Sequence, residues 1–214
     1  MSEIVRTLKR CLKKIKKLPF IGPFAMSLYR KWIPSKPFPG SMEYWKLQYQ
    51  SGRNSGPGSY NQFAEFKAEI LNRFIENNDI QTLIEYGCGD GNQLKLAEYS
   101  SYIGFDVSSE AISRCNSIFP NDKRKTFKLV DDYSGEKAQL TLSLDVIYHL
   151  IEDDVFMEYM ERLFNSSERF VIIYSSNTDE NQDNQAAHVK HRRFSAWVKK
   201  NQPQWKLLHH ITKF

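Results

Sequence analysis

Only three cysteines occur in the 214 residues, Cys11, Cys88 and Cys115, too few and too scattered for a disulfide framework or a zinc ribbon. A reducing compartment suits such a chain. No apolar run approaches the roughly 18–20 residues that span a bilayer. The opening MSEIVRTLKRCLKKIKKLPF also lacks the unbroken apolar stretch of a signal peptide, because lysines interrupt it throughout. Internal repeats and long low-complexity runs are missing too. Acid is nearly absent from the first forty residues, where Glu3 stands alone against ten Lys or Arg. The remaining residues carry twenty bases and twenty-four acids, so the pI near 9.0 belongs to the N-terminal part. A basic footprint spread over the whole surface, as nucleic-acid binding by the body would need, is excluded. What is abundant is apolar and aromatic: 41% hydrophobic and 14% aromatic residues supply one sizeable core, which excludes a wholly disordered chain. The expectation is a soluble, cytoplasmic protein.

Two parts follow from the charge: residues 1–40 as a basic extension and linker, and 41–214 as the globular domain. In the extension Ile4, Val5, Leu8, Leu12, Ile15 and Leu18 recur at helical spacing with lysines opposite. Pro19, the Gly22-Pro23 turn and Pro34, Pro37, Pro39 and Gly40 then break the pattern. A basic amphipathic helix over residues 4–18 can lie in the headgroups of an anionic membrane, here at the inner face. Docking on the body or on a partner, and contact with RNA, remain open as alternatives.

The body alternates. A helical face over Phe63–Asn77 precedes β-rich runs at Thr82–Tyr86, Tyr102–Asp106, Thr126–Val130, Leu140–Leu144 and Phe170–Tyr174. Helical stretches at Asn92–Tyr99, Ser108–Phe119 and Asp154–Phe164 lie between most of them, with Ser108 as an N-cap. This pattern predicts an α/β fold, a Rossmann-like, doubly wound, mostly parallel sheet with helices on both faces. After Tyr174 one helix (Phe194–Lys200) and one strand (Trp205–Ile211) are expected. No second run remains there to form a C-terminal hairpin with it. The last strand should pair in parallel with Phe170–Tyr174 or leave an edge for another subunit.

LIEYGCGDGNQ follows the first run and opens a helix. Gly87, Gly89 and Gly91 let the backbone turn sharply beside a ligand. Glu85 is an acid inside a strand, and Asp106 ends the second strand, where a carboxylate can accept both hydroxyls of a ribose. E-x-G-C-G-x-G followed by that acid resembles the class I S-adenosylmethionine-dependent methyltransferases, over roughly Tyr44–Trp205. The resemblance implies that Gly87, Cys88, Gly89 and Gly91 line S-adenosylmethionine, that Glu85 orients the turn, and that Asp106 holds the ribose. It places Asp131, or else Asp132, near the adenine, and Ser143, Leu144 and Asp145 beside the reactive sulfonium, with Tyr148 just beyond. An Asn-Pro-Pro-Tyr type tetrapeptide is absent there, which speaks against methylation of DNA bases. The segment Tyr44–Phe63 resembles the one that precedes this domain in bacterial small-molecule and cell-surface-glycan methyltransferases. It is expected to be a lid over the cleft, the alternative being a surface loop.

For the chemistry, methyl transfer to a hydroxyl needs a base, and His149 is the best placed. Asp145 could serve as base or hold the His149 tautomer, and a satisfied structural histidine is the alternative. Tyr148, His188, His191 and Arg192 are candidate substrate contacts, with Arg192 and Arg193 suited to phosphate or carboxylate. A metal site from His188, His191 and Asp145 is a weak possibility, and none is expected. The expected activity is methylation of a hydroxyl on a small molecule or a lipid-linked saccharide. A protein or RNA methyltransferase gripping its polymer with the basic extension is the alternative.

Overall fold

The computed structural model describes residues 37–212. The amphipathic extension over residues 4–18, its proposed membrane contact and most of the linker lie outside the described residues. Among the described residues no helix is long and apolar enough to cross a membrane.

Five strands form one sheet, all parallel: β1 (Thr82–Tyr86), β2 (Ser101–Asp106), β3 (Lys125–Leu129), β4 (Ala138–Leu144) and β5 (Ser167–Tyr174), in the order β3-β2-β1-β4-β5. β1 lies at the centre, in register with β2 (Glu85 beside Gly104) and with β4 (Glu85 beside Leu142). Alternation along each strand divides the core in two. Leu83, Tyr102, Leu140 and Leu142 join Leu71 and Ile75 of helix α2 (Asn61–Asn77) and Cys115 of α3 (Ser109–Ile118) on one face. Ile84, Tyr86 and Phe105 meet Phe156, Met160 and Leu163 of α4 (Asp153–Asn165) on the other. Parallel sheets covered on both faces bury near-continuous apolar strands, and β1 and β4 read that way. Ser108 caps α3 by accepting the Ala111 N–H at 3.3 Å.

Three expected elements fold differently. Helix α1 (Ser41–Gln50) occupies the start of the segment read as a lid. Its first residue is held by a carboxylate 111 residues away: Ser41 N–H and Oγ–H donate to Glu152 at 3.0 and 2.5 Å, and Ile151 N–H donates back to Ser41 Oγ at 2.8 Å. The helix expected over Asn92–Tyr99 shrinks to a single 3₁₀ turn, Gln93–Leu96. Asn72 explains it, donating to the Leu96 carbonyl (2.9 Å) and accepting from Glu98 N–H (3.2 Å), which draws the chain out toward β2.

The third difference is at the C-terminus. Helix α5 (Phe194–Asn201) forms, but Trp205–Ile211 is not a strand, and among the described residues none follows β5. The Trp205 ring packs on Phe164 of α4 at 5.4 Å, which anchors this stretch to a sheet face instead of the β5 edge. Leu207, Leu208 and Ile211 beyond it stay exposed.

Candidate active site

The carboxyl ends of β1, β2 and β4 converge, the usual ligand position in open α/β sheets. The glycine turn leaves β1 with φ of 82°, 60° and 75° at Gly87, Gly89 and Gly91, a region costly for any residue with a Cβ. Gly87 and Cys88 N–H both donate to the Phe105 carbonyl, at 2.7 and 3.1 Å, which ties the turn to β2. Asp106 completes the tie: Oδ2 accepts Gly89 N–H at 3.0 Å and Oδ1 accepts Ser108 N–H at 2.9 Å. Burial pushes this carboxyl up to about 6, against those backbone bonds. The group is still ionised at neutral pH. Cys88 and Cys115 are buried free thiols behind the turn, and Cys115 Sγ–H donates to the Gly89 carbonyl at 3.2 Å.

Glu85 is buried on the Tyr102 side of β1. Its Oε2 accepts the Tyr102 hydroxyl at 2.6 Å, and burial raises its carboxyl to about 7. Ser143, fully buried, shares a 2.7 Å hydrogen bond with the Tyr159 hydroxyl of α4. Asp131 and Asp132 sit exposed in the 3₁₀ turn at the end of β3.

Residues 51–59 lie on the glycine turn as a closed flap. Ser55 N–H donates to Asp90 Oδ2 and Asp90 N–H donates to Ser55 Oγ, both at 2.9 Å. Tyr60 adds its hydroxyl to the same carboxylate at 2.8 Å. Arg114 of α3 clamps the flap's other side through the carbonyls of Arg53 and Tyr49, at 2.6 Å each. A Cβ on Gly89 would overlap Ser55 Oγ, so glycine is required both by the left-handed turn and by the flap. Asp90 was not anticipated from the sequence; an acid between the last two glycines was the available signal.

Beyond β4 the chain enters a strained exit. Asp145 adopts φ 60°, and its N–H donates to the Tyr174 carbonyl at 2.9 Å. Oδ2 pairs with Lys67 Nζ at 2.6 Å, a contact in which the lysine side chain is 2% exposed. Oδ1 accepts the Tyr148 hydroxyl at 2.9 Å. Lys67 lies in the buried stripe of α2 with Ala64, Ala68, Leu71 and Ile75, where sequence periodicity alone gave no reason to notice a cation. Asp145 therefore serves Lys67 and Tyr148, and the His149 ring is held by another group.

That group is the His188 carbonyl, 2.8 Å from His149 Nδ1. A carbonyl only accepts, so Nδ1 carries the proton and Nε2 keeps its lone pair. Burial depresses the imidazole to about 4, and it is neutral at physiological pH. Trp45 meets the His149 ring edge-on at 4.8 Å, and Tyr44 stacks on His188 at 4.6 Å with the planes 10° apart. A cavity of about 520 Å³ opens here, lined among others by Tyr44, Trp45, Arg53, Tyr148, His149 and His188.

The other residues of the loop after β5 are engaged elsewhere. Arg192 donates to the Leu150 carbonyl, to the Ile151 carbonyl at 2.8 Å and to Asp153 at 2.6 Å, so its guanidinium fastens the loop to the start of α4 and does not face the cavity. Arg193 lies 3.9 Å from Asp179. His191 Nδ1 is 2.6 Å from Ser176 Oγ, with its ring 6.3 Å from that of Tyr148. His188, His191 and Asp145 thus have separate partners, and among the described residues no group of three or more His, Cys, Asp or Glu is placed to hold a metal ion.

The glycine turn and the ionised carboxylate at the end of β2 lie together at the carboxyl ends of the strands, a donor and acceptor set that a ribose-bearing cofactor can use. No curated protein matches the chain. Residues 60–205 match the family model described as a methyltransferase domain. Among solved structures, the methyltransferase domain of bacterial CtHen1-C is similar at 19% identity and TM-score 0.53, covering 64% of this chain and 82% of that one. Magnesium protoporphyrin IX methyltransferase (ChlM) from Synechocystis PCC 6803 with bound SAM gives 12% identity and TM-score 0.53 over 76% of this chain and 85% of its own. DhpI, in a complex with SAM and HEP, gives 14% and 0.53 over 79% and 91%. These likenesses are of fold. With the family model covering most of the chain, they identify it as a member of the class I S-adenosylmethionine-dependent methyltransferases, an enzyme that transfers the methyl group of that cofactor.

Proposed function

We propose that the enzyme methylates a hydroxyl of a small-molecule or saccharide acceptor seated in the cavity beside His149. The observation that carries this reading is the His149 tautomer: with Nδ1–H committed to the His188 carbonyl, an unprotonated Nε2 is left as an acceptor on a residue lining the cavity, a weaker base than free imidazole because of its burial. S-adenosylmethionine supplies, when bound, a methyl carbon already activated by its sulfonium. Gly87, Gly89 and Gly91 give the turn the left-handed backbone that lets it run beside that cofactor, and the Asp106 carboxylate accepts from its ribose hydroxyls. His149 Nε2 takes the hydroxyl proton as the new carbon–oxygen bond forms, and the neutral imidazole needs no prior deprotonation. Asp145 pairs with Lys67 and holds the Tyr148 hydroxyl in place beside the cavity. The Ser55–Asp90 contacts describe a flap that must lift for the cofactor to enter and can close again over it.

Incubation with methyl-labelled cofactor and a cell extract, followed by identification of the labelled product, tests the acceptor atom. A methyl ether is expected, and label on nitrogen, sulfur or a carboxylate overturns the reading. With the acceptor in hand, His149→Asn should lower turnover by about 10²-fold. It should leave S-adenosylhomocysteine affinity unchanged.

A further inference from the structure

We propose that the acceptor carries a negative charge, a phosphate or a carboxylate on a ring-bearing hydroxyl compound, and that Arg53 is the residue that reads it. The inference rests on the hydroxyl-acceptor reading above and deepens it.

Charge accounting inside the cavity is the starting point. Asp145 is the lining carboxylate, and Lys67 cancels it at 2.6 Å. His149 and His188 are both held toward the neutral form by burial. Arg53 remains, always cationic, and among the described residues no carboxylate pairs with it. The cavity therefore presents one uncompensated positive charge. A neutral or cationic acceptor gains nothing from it, whereas an anion gains charge-assisted hydrogen bonds from the guanidinium fork.

Arg53 is also positioned, not loose. Its Nη1–H donates to Gln48 Oε1 at 2.7 Å, and Gln48 Nε2–H donates to the Tyr44 hydroxyl. The Tyr44 ring stacks on His188, whose carbonyl fixes His149. The backbone at Arg53 is pinned as well, by Arg114 and by its own N–H on the Gln48 carbonyl. One run of contacts thus links the cation to the base, so an acceptor anchored by its anion at Arg53 presents a distant hydroxyl to His149 across the faces of Trp45 and Tyr44. Among the described residues the remaining Nη2 and Nε donors of Arg53 have no hydrogen-bond acceptor, and they are the ones offered to the anion.

The experiment uses the full chain loaded with S-adenosylhomocysteine and titrates two anionic probes, glucose 6-phosphate and 4-hydroxybenzoate, each against its neutral parent, glucose and phenol. At least one anion should bind at least 10-fold more tightly than its parent, and which of the two does so separates phosphate from carboxylate recognition. Arg53→Gln should erase that preference and Arg53→Lys should restore part of it, with S-adenosylhomocysteine affinity unchanged in both. The proposal is overturned when neither anion outbinds its parent, or when Arg53→Gln keeps the preference. His149→Asn in the same titration should bind the anion as the wild type does. Charge discrimination that depends on Arg53, together with full turnover in His149→Asn, would sink the base assignment and leave this one standing.

Discussion

The glycine turn and the acceptor cavity touch, yet they are made in different ways. The turn is shaped mostly by β1, β2 and the residues between and just after them, with Asp106 satisfied by backbone amides, and the flap adds Ser55 and Tyr60 at Asp90. The cavity draws on α1, the flap, the exit of β4 and the loop after β5, and is held by ring stacking, one buried ion pair and side-chain hydrogen bonds. A site that must accept the same cofactor in every relative can be built from local backbone geometry. A site that selects an acceptor is assembled from segments free to vary independently.

That contrast predicts where single substitutions hurt most. Lys67→Met strands Asp145 without its partner and should cost about 3–5 kcal/mol of stability, while Lys67→Met with Asp145→Leu should recover much of it. Urea unfolding of the three proteins measures this, and a single-mutant loss no larger than that of a surface change would break the view that the cavity hangs on this pair. On the cofactor side, Asp106→Asn replaces an acceptor of two amide N–H groups with one oxygen and an NH₂. It should weaken S-adenosylhomocysteine binding by about 1.5–3 kcal/mol, read by calorimetry, with a smaller effect on acceptor binding.

The smallest effects are in pH, and they run in opposite directions. Glu85 moves from 4.5 to about 7, so the folded state keeps a proton that the unfolded chain has lost. Its contribution is complete below 4.5 and falls away as pH rises to 7. His149 moves from 6.5 down to about 4, so its contribution is complete above 6.5 and falls away as pH drops to 4. Glu85→Gln should flatten the stability slope on the first interval and His149→Asn on the second, each by on the order of 1 kcal/mol per pH unit. Chemical denaturation at pH 4.5, 5.5, 6.5 and 7.5 distinguishes them, and slopes of one sign would remove this part of the contrast.

The same division governs what could be read from the sequence. β1 was legible residue for residue, because TLIEY is a short apolar run closed by a glycine turn. The Asp106 position followed from a local spacing. Helix α1 was not legible, because the group that fixes its first turn, Glu152, comes from the far side of the chain. Trp205–Ile211 read as a strand from composition, but a strand also needs a free edge within reach, and the Trp205 contact with Phe164 decides where that stretch goes. Arg192 looked like an anion binder for the same reason: residue type was visible, whereas the carbonyls of Leu150 and Ile151 that occupy it were not. Lys67 left no trace in the pattern, since its role exists only once Asp145 is beside it.

The clasp between Ser41 and Glu152 also sets an order of events during synthesis. When α1 emerges from the ribosome, its first turn has no partner, and 111 further residues must be made before the carboxylate that receives Ser41 is available. Contacts of such long sequence separation form late, after the loop between them has paid its entropy. The strands and the glycine turn can therefore associate while the wall of the acceptor cavity is still unassembled. A nascent chain halted before Glu152 should protect the β1–β2 region from protease and leave Tyr44 and Trp45 open to cleavage, so the enzyme acquires its cofactor cradle before it acquires its selectivity.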